Sequence, residues 1–149
     1  MIPIYRSQAA VERVGLGLLD RSLPKPEWTH AGHFAAALWL LRHRPDLRLE
    51  TAMPPLIRAY NEATGVANTD MGGYHETITL ASIGAARAFL TRQAADAPLH
   101  EVVDRLMAGP LGRPEWLLPY WSKGTLFSVA ARRRWIEPDL MPFDPQAVG

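Results

Sequence analysis

Gly72-Gly73-Tyr74-His75-Glu76-Thr77-Ile78-Thr79 is the stretch on which the reading of this chain turns. Two glycines release the backbone, and four hydrogen-bonding or ionisable side chains follow. The apolar residues Tyr74, Ile78, Ala81, Ala85 and Phe89 then recur at helical spacing, with Leu80, Ile83 and Leu90 as a second stripe. This pattern predicts a helix over residues 74–92 that is apolar round much of its circumference and carries its polar groups at its entry to a core.

A second stretch has the same construction. In Trp28-Thr29-His30-Ala31-Gly32-His33, Thr29 fits an N-cap and a helix over 29–44 follows until Pro45 stops it. Phe34, Ala37, Leu38 and Leu41 form its stripe, widened by Trp39 and Leu40. His30 stands one turn before Phe34, and His33 one turn before Ala37. The two stretches hold three of the five histidines.

The remaining elements fall between prolines. Val11, Val14, Leu18 and Leu19 predict a helix over 8–21, in which Gly15 and Gly17 permit close approach of a neighbour. Leu23-Pro24-Lys25-Pro26 reads as a stiff linker. Residues 46–52 fit either a loop or a helical turn. Met53-Pro54-Pro55 predicts the start of a third helix, since proline in a first turn loses no hydrogen bond. It runs to Thr64, before Gly65. Ala97-Pro98 opens a short helix to Met107. Residues 109–114 read as a loop, 115–120 as a turn of helix, and Ser122 or Thr125 as the cap of a last short helix. The proline-rich tail from Pro138 is expected as extended or loose chain.

No segment alternates like a strand, and no repeat is present. The expected class is all-α: one helical bundle over 1–149, about four main helices plus short C-terminal ones. A length of 149 residues suits a single core. Hydrophobic residues make up 48% and charged ones 21%, as in ordinary globular chains. A net charge of +1 gives no global field to recruit nucleic acid or an anionic membrane. The absence of cysteine removes disulfides, thiolate ligands and cysteine nucleophiles. Met1-Ile2-Pro3-Ile4-Tyr5-Arg6 is unlike a secretory signal. The strongest apolar run, residues 34–41, is far short of the roughly 20 residues that span a bilayer. The cytoplasm is the expected location.

Several blocks together resemble a family of small bacterial all-α proteins of uncharacterised function. They are Trp28-Thr29-His30 with His33; Tyr60-Asn61 with Gly65-Val66 and Asn68-Thr69; Gly73 to Thr79; and, towards the C-terminus, Phe127-Ser128, Ala131-Arg132 and residues 135–140. The resemblance spans most of the chain, and the His-Glu-Thr block is its most specific part. It implies a shared fold and no activity. A weaker likeness connects the chain to DinB-type four-helix proteins, which bind a divalent metal through three histidines. Their histidine spacing is not reproduced here, so no residue carries over.

The histidines set the candidate chemistry. His30 and His33, at i and i+3, lie on one side of a helix. With His75 they could present a three-nitrogen face to a divalent transition metal such as Zn, Fe, Mn or Ni, with Glu76 or Asp70 adding oxygen. Glu76 points about 100° away from His75 on the helix. It fits better as a candidate general base or as a residue orienting a ligand. The alternative is a hydrogen-bonded core network in which Thr29, Thr77 and Tyr74 satisfy the imidazoles. Metal signatures such as His-Glu-x-x-His are absent. Tyr60, Asn61 and Tyr74 are the candidates for binding a small ligand. The common role of such Asn and Asp residues before a helix is to satisfy turn and cap donors. The five tryptophans fit core or lid positions. Arg132-Arg133-Arg134 suits a helix C-terminus. No serine stands in a nucleophile elbow, and no glycine-rich phosphate loop is present.

Two functions from different classes follow. One is a small metal-dependent enzyme or metal-binding protein using His30, His33 and His75. The other is a non-catalytic helical module that binds a small ligand or a protein partner, with the histidines as a polar network. Self-association would follow if the second or fourth helix left an apolar face uncovered.

Overall fold

The computed structural model describes residues 2–148 and is all-helical. Five helices carry the core: α1 (Gln8–Asp20), α2 (His30–His43), α3 (Leu49–Ala63), α4 (Glu76–Thr91) and α5 (Leu99–Ala108). Two short ones, α6 (Lys123–Leu126) and α7 (Val129–Arg133), follow a long irregular stretch. Among the described residues the only β pairing is an isolated bridge between Thr69 and Gly72.

α2 is the centre. It contacts α1, α3, α4 and α5. Every residue from Phe34 to Leu40 is buried, so it has no polar face to offer water. Small residues allow this crowding. A Cβ on Gly15 of α1 would lie 2.5 Å from the indole of Trp39, and one on Gly17 would lie 2.7 Å from Leu23 Cβ. Both glycines thus do what their positions in the sequence suggest. The N-cap expected at Thr29 is present, and Ser7 caps α1. Ser7 accepts from the Ala10 N–H, and Thr29 Oγ1 from the Gly32 N–H.

α3 departs from expectation. It begins at Leu49, so Pro54 and Pro55 lie inside it rather than in its first turn. The prolines withhold two donors from the helix ladder, at a cost of ~3 kcal/mol each. The longer helix buries Leu49 and Met53 in line with Ile57 and Tyr60. Each such side chain contributes about 1.5–3 kcal/mol, which offsets much of the loss. A spacing of i, i+4, i+8, i+11 was present in the sequence, but the prolines outweighed it in the local reading.

The C-terminal third has little regular structure and is nonetheless well packed. Trp116, Leu117 and Trp121 are buried between turns. The Trp121 Nε1–H donates to Ile136 O at 2.8 Å, and its ring stands edge-on to Trp135. Asp139 caps α6 from outside the helix. It accepts from the Ser122 hydroxyl (2.6 Å), the Ser122 N–H (2.8 Å) and the Thr125 hydroxyl (2.9 Å). These bonds, that of the Ser122 hydroxyl first, pull its carboxyl down to about 2. The tail is not loose over its described part. Pro145–Ala147 forms a 3₁₀ turn on α4 at Gly84, Val148 is buried, and Arg92 donates to Val148 O at 3.1 Å.

Leu38 has no exposed surface and sits midway along α2. Leu38→Ala is expected to destabilise the fold by about 2–5 kcal/mol, the range for truncating a large core residue. The shift of the urea midpoint measures it, and a shift near zero would mean that α2 is not the structural centre.

Candidate functional site

The polar block before α4 is a joint between three parts of the chain. Gly73 has φ +82°, and a Cβ there would lie 2.4 Å from Ala67 O. Only glycine fits. The Tyr74 N–H donates to Asn68 Oδ1 at 3.0 Å, and the same oxygen accepts from Asn61 Nδ2 at 3.0 Å. Asn68 Nδ2 donates in turn to Arg58 O. Asn61 and Asn68 therefore fasten the α3–α4 loop to the end of α3. The Tyr74 hydroxyl donates to Glu76 Oε1 at 2.5 Å, and the Arg58 guanidinium lies 4.3 Å from the Tyr74 ring centre. Burial, and then the bond to Glu76, push the Tyr74 phenol well above its ordinary range.

His75 is the N-cap of α4. Its Nδ1 accepts from the Ile78 N–H at 3.1 Å, which requires that nitrogen to be unprotonated. Nε2 lies 2.7 Å from Leu126 O and must therefore carry the proton. Both ring nitrogens are used, and the ring is neutral. Burial holds its pKa below the ordinary 6.5, with the charge of Arg132 acting the same way. Thr77 has no exposed surface. Its hydroxyl lies 2.7 Å from Ala131 O and 2.9 Å from Arg134 O, and it accepts from the Ile136 N–H at 3.2 Å. Arg132 donates to Gly73 O and Tyr74 O, and Arg133 forks onto Asp70 at 2.8 and 2.6 Å.

The other candidates fall elsewhere. The Tyr60 hydroxyl donates to Leu23 O at 2.9 Å, and its ring lies 5.2 Å from Trp28, within the core. His30 Nε2 lies 2.7 Å from Leu111 O, so it carries the proton, and its Nδ1 has no hydrogen-bond partner among the described residues. His33 Nδ1 lies 2.7 Å from Thr29 O, which leaves its Nε2 free in the same sense. The His33 ring is stacked at 3.9 Å on Trp28 and keeps an exposed edge. Protein packed round the ring pushes its pKa down, helped by His30 beside it.

Among the described residues no group of three or more His, Asp or Glu side chains is placed to hold a metal ion. The expected donor set is thus divided. His75 has no lone pair to spare, Asp70 is held by Arg133, and Glu76 by Tyr74.

His30 and His33 do open onto a cavity. A cleft of about 550 Å³ lies between the first turns of α2 and α4, the face of α3 and the irregular segment 114–127. Phe34, Met53, Ile57, Ile83, Trp116 and Phe127 supply most of its apolar wall. Thr79, Ser82 and Glu115 add polar groups. The first turns of the two central helices therefore share one cavity, as their sequences suggested. His75, Glu76, Tyr74, Tyr60 and Asn61 are not on its wall. His75 stands behind it, holding the carbonyl of the lining residue Leu126. Sequence reasoning missed Ser82, Glu115 and Trp116. The signal was the apolar Trp116-Leu117-Leu118 inside a proline-bounded loop, which had to be buried against something.

No family model matches this chain, and no curated protein or solved structure is detectably similar to it. Among the described residues no helix is long and apolar enough to cross a membrane.

The role of His75 makes a pH prediction. Its folded pKa is depressed, so below pH 6.5 the unfolded chain binds a proton that the folded chain refuses. The stability it contributes is complete above 6.5 and falls as the pH drops from there towards the folded value. Urea midpoints measured across this range are expected to fall with acid. His75→Asn keeps a capping oxygen but cannot titrate, and should flatten part of that slope while costing ~1 kcal/mol at neutral pH. An unchanged slope in the variant would remove His75 as its source.

Proposed function

We propose that this chain is a ligand-binding helical module whose cleft takes a small, largely apolar molecule with one hydrogen-bonding end. The observation that carries the reading is the cleft itself. Its volume of about 550 Å³ falls within the usual span for small-molecule sites, roughly 300–1,000 Å³. Its walls are mostly aliphatic and aromatic, and its few polar groups lie among them, which is how such sites combine affinity with orientation. The motif at the start of α4 serves this site indirectly by fixing the wall at Leu126.

A second reading keeps the metal. Among the described residues His30 and His33 each retain one nitrogen without a partner, and they are one turn apart. Two imidazoles with water completing the shell would hold a divalent transition metal weakly. Zinc titration of the wild type against His33→Ala, followed by calorimetry, tests it; equal heats from the two proteins count against it.

The ligand reading is tested with the neutral dye N-phenylnaphthylamine, whose fluorescence rises in apolar surroundings. The wild type is expected to bind it. Ser82 is half-buried on the α4 wall, and Ser82→Phe fills the cleft without removing a core residue. It should weaken dye binding by at least about tenfold, or 1.4 kcal/mol. A thermal melt establishes that the variant is folded. Dye affinity unchanged in a folded Ser82→Phe protein would sink the proposal.

A further inference from the structure

The charge and hydrogen-bonding character of the cleft is one-sided. Among the described residues no lysine or arginine lines it, and Glu115 is the one formally charged side chain there. Among the described residues Glu115 forms no ion pair. The two histidines are also acceptors there. Each commits its proton to a backbone carbonyl, His30 to Leu111 O and His33 to Thr29 O, so the nitrogen left over in each is a lone pair.

The positive ends of two helices approach this cleft and would ordinarily favour an anion. One first-turn donor of each is already engaged. Thr29 Oγ1 takes the Gly32 N–H, and His75 Nδ1 takes the Ile78 N–H. Pro114 has no N–H to offer. Among the side chains that line the cleft, an anionic head group would find the Thr79 and Ser82 hydroxyls as donors, and Glu115 would repel it. A cationic head group meets the opposite conditions. It has N–H groups for the imidazole lone pairs and the carboxylate, and Phe34, Trp116 and Phe127 can offer aromatic faces to a positive charge.

We propose that the ligand of this cleft is an organic amine, with a protonated nitrogen head on an apolar body, its charge received by Glu115. The inference rests on the cleft being a small-molecule site and adds the class of molecule.

Three compounds of one shape separate head-group chemistry from shape: phenylbutylamine, phenylbutanol and phenylbutyrate. They are titrated calorimetrically into the full chain at pH 7, where the amine is protonated and the acid ionised. The amine is expected to bind tightest, the alcohol less tightly, and the acid at least about tenfold more weakly than the amine. Glu115 is exposed, so its substitution is compatible with folding. Glu115→Gln should shrink the ratio of acid to amine dissociation constants, and Glu115→Lys should invert it. The acid binding as tightly as the amine overturns the proposal, as does an order unchanged by Glu115→Lys or no binding by any of the three. Failure of the cleft itself reads differently: the neutral dye would then be insensitive to Ser82→Phe.

Discussion

The hydroxyl of Thr77 is the contact on which the arrangement depends. It is fully buried in the first turn of α4, and reaches the carbonyls of Ala131 and Arg134 and the N–H of Ile136. Residues 128–140 contain no long helix and bury few large apolar groups of their own. Their backbone polar groups must still be satisfied wherever water is excluded. Thr77 supplies part of that, and His75 does the same for Leu126. Arg132 returns the connection by donating to Gly73 O and Tyr74 O. Burial of Trp116, Leu117, Trp121 and Leu126 holds the first part of segment 114–140, and these bonds fasten its later part to α4.

Much of the helical layout was legible in the sequence because apolar spacing and proline positions agreed. For α1 and α4 the apolar pattern, and for α2 the pattern with Thr29 as cap and Pro45 as stop, place the helices within a residue or two of where they lie. α3 was less legible because a local rule, proline at the start of a helix, conflicted with the tertiary gain from burying Leu49 and Met53. Segment 114–127 was legible only in its core tryptophans, Trp116 and Trp121, and in the cap at Ser122. Irregular chain has no period, and its position is decided by side chains far away in sequence.

The candidate site was legible in location more than in membership. The His30/His33 pair and the first turn of α4 do face one cavity. His75, Tyr74, Glu76 and Asn61 look reactive in a linear reading because their residue types are those of catalytic groups. In three dimensions each is consumed by a neighbour: Ile78 and Leu126 for His75, Glu76 for Tyr74, Asn68 for Asn61. Spacing within one helix shows which side chains share a face. It does not show which donors and acceptors a distant loop will bring to them.

Two imidazoles act as struts in this fold, one from the start of each central helix. His30 holds Leu111 O and His75 holds Leu126 O, and these two anchor points bracket the irregular segment between them. A rigid aromatic ring fixes a spacing more firmly than a long flexible side chain could. Of the two, His30 lines the cleft itself, while His75 sets its frame from behind the wall. In evolutionary terms this separates two kinds of change. Under the proposed reading, residues such as Ser82, Glu115 or Phe127 can vary, and with them the molecule bound, while the joint that spaces the walls stays as it is. A chain built this way can change the lining of its cleft by single substitutions without first having to refold.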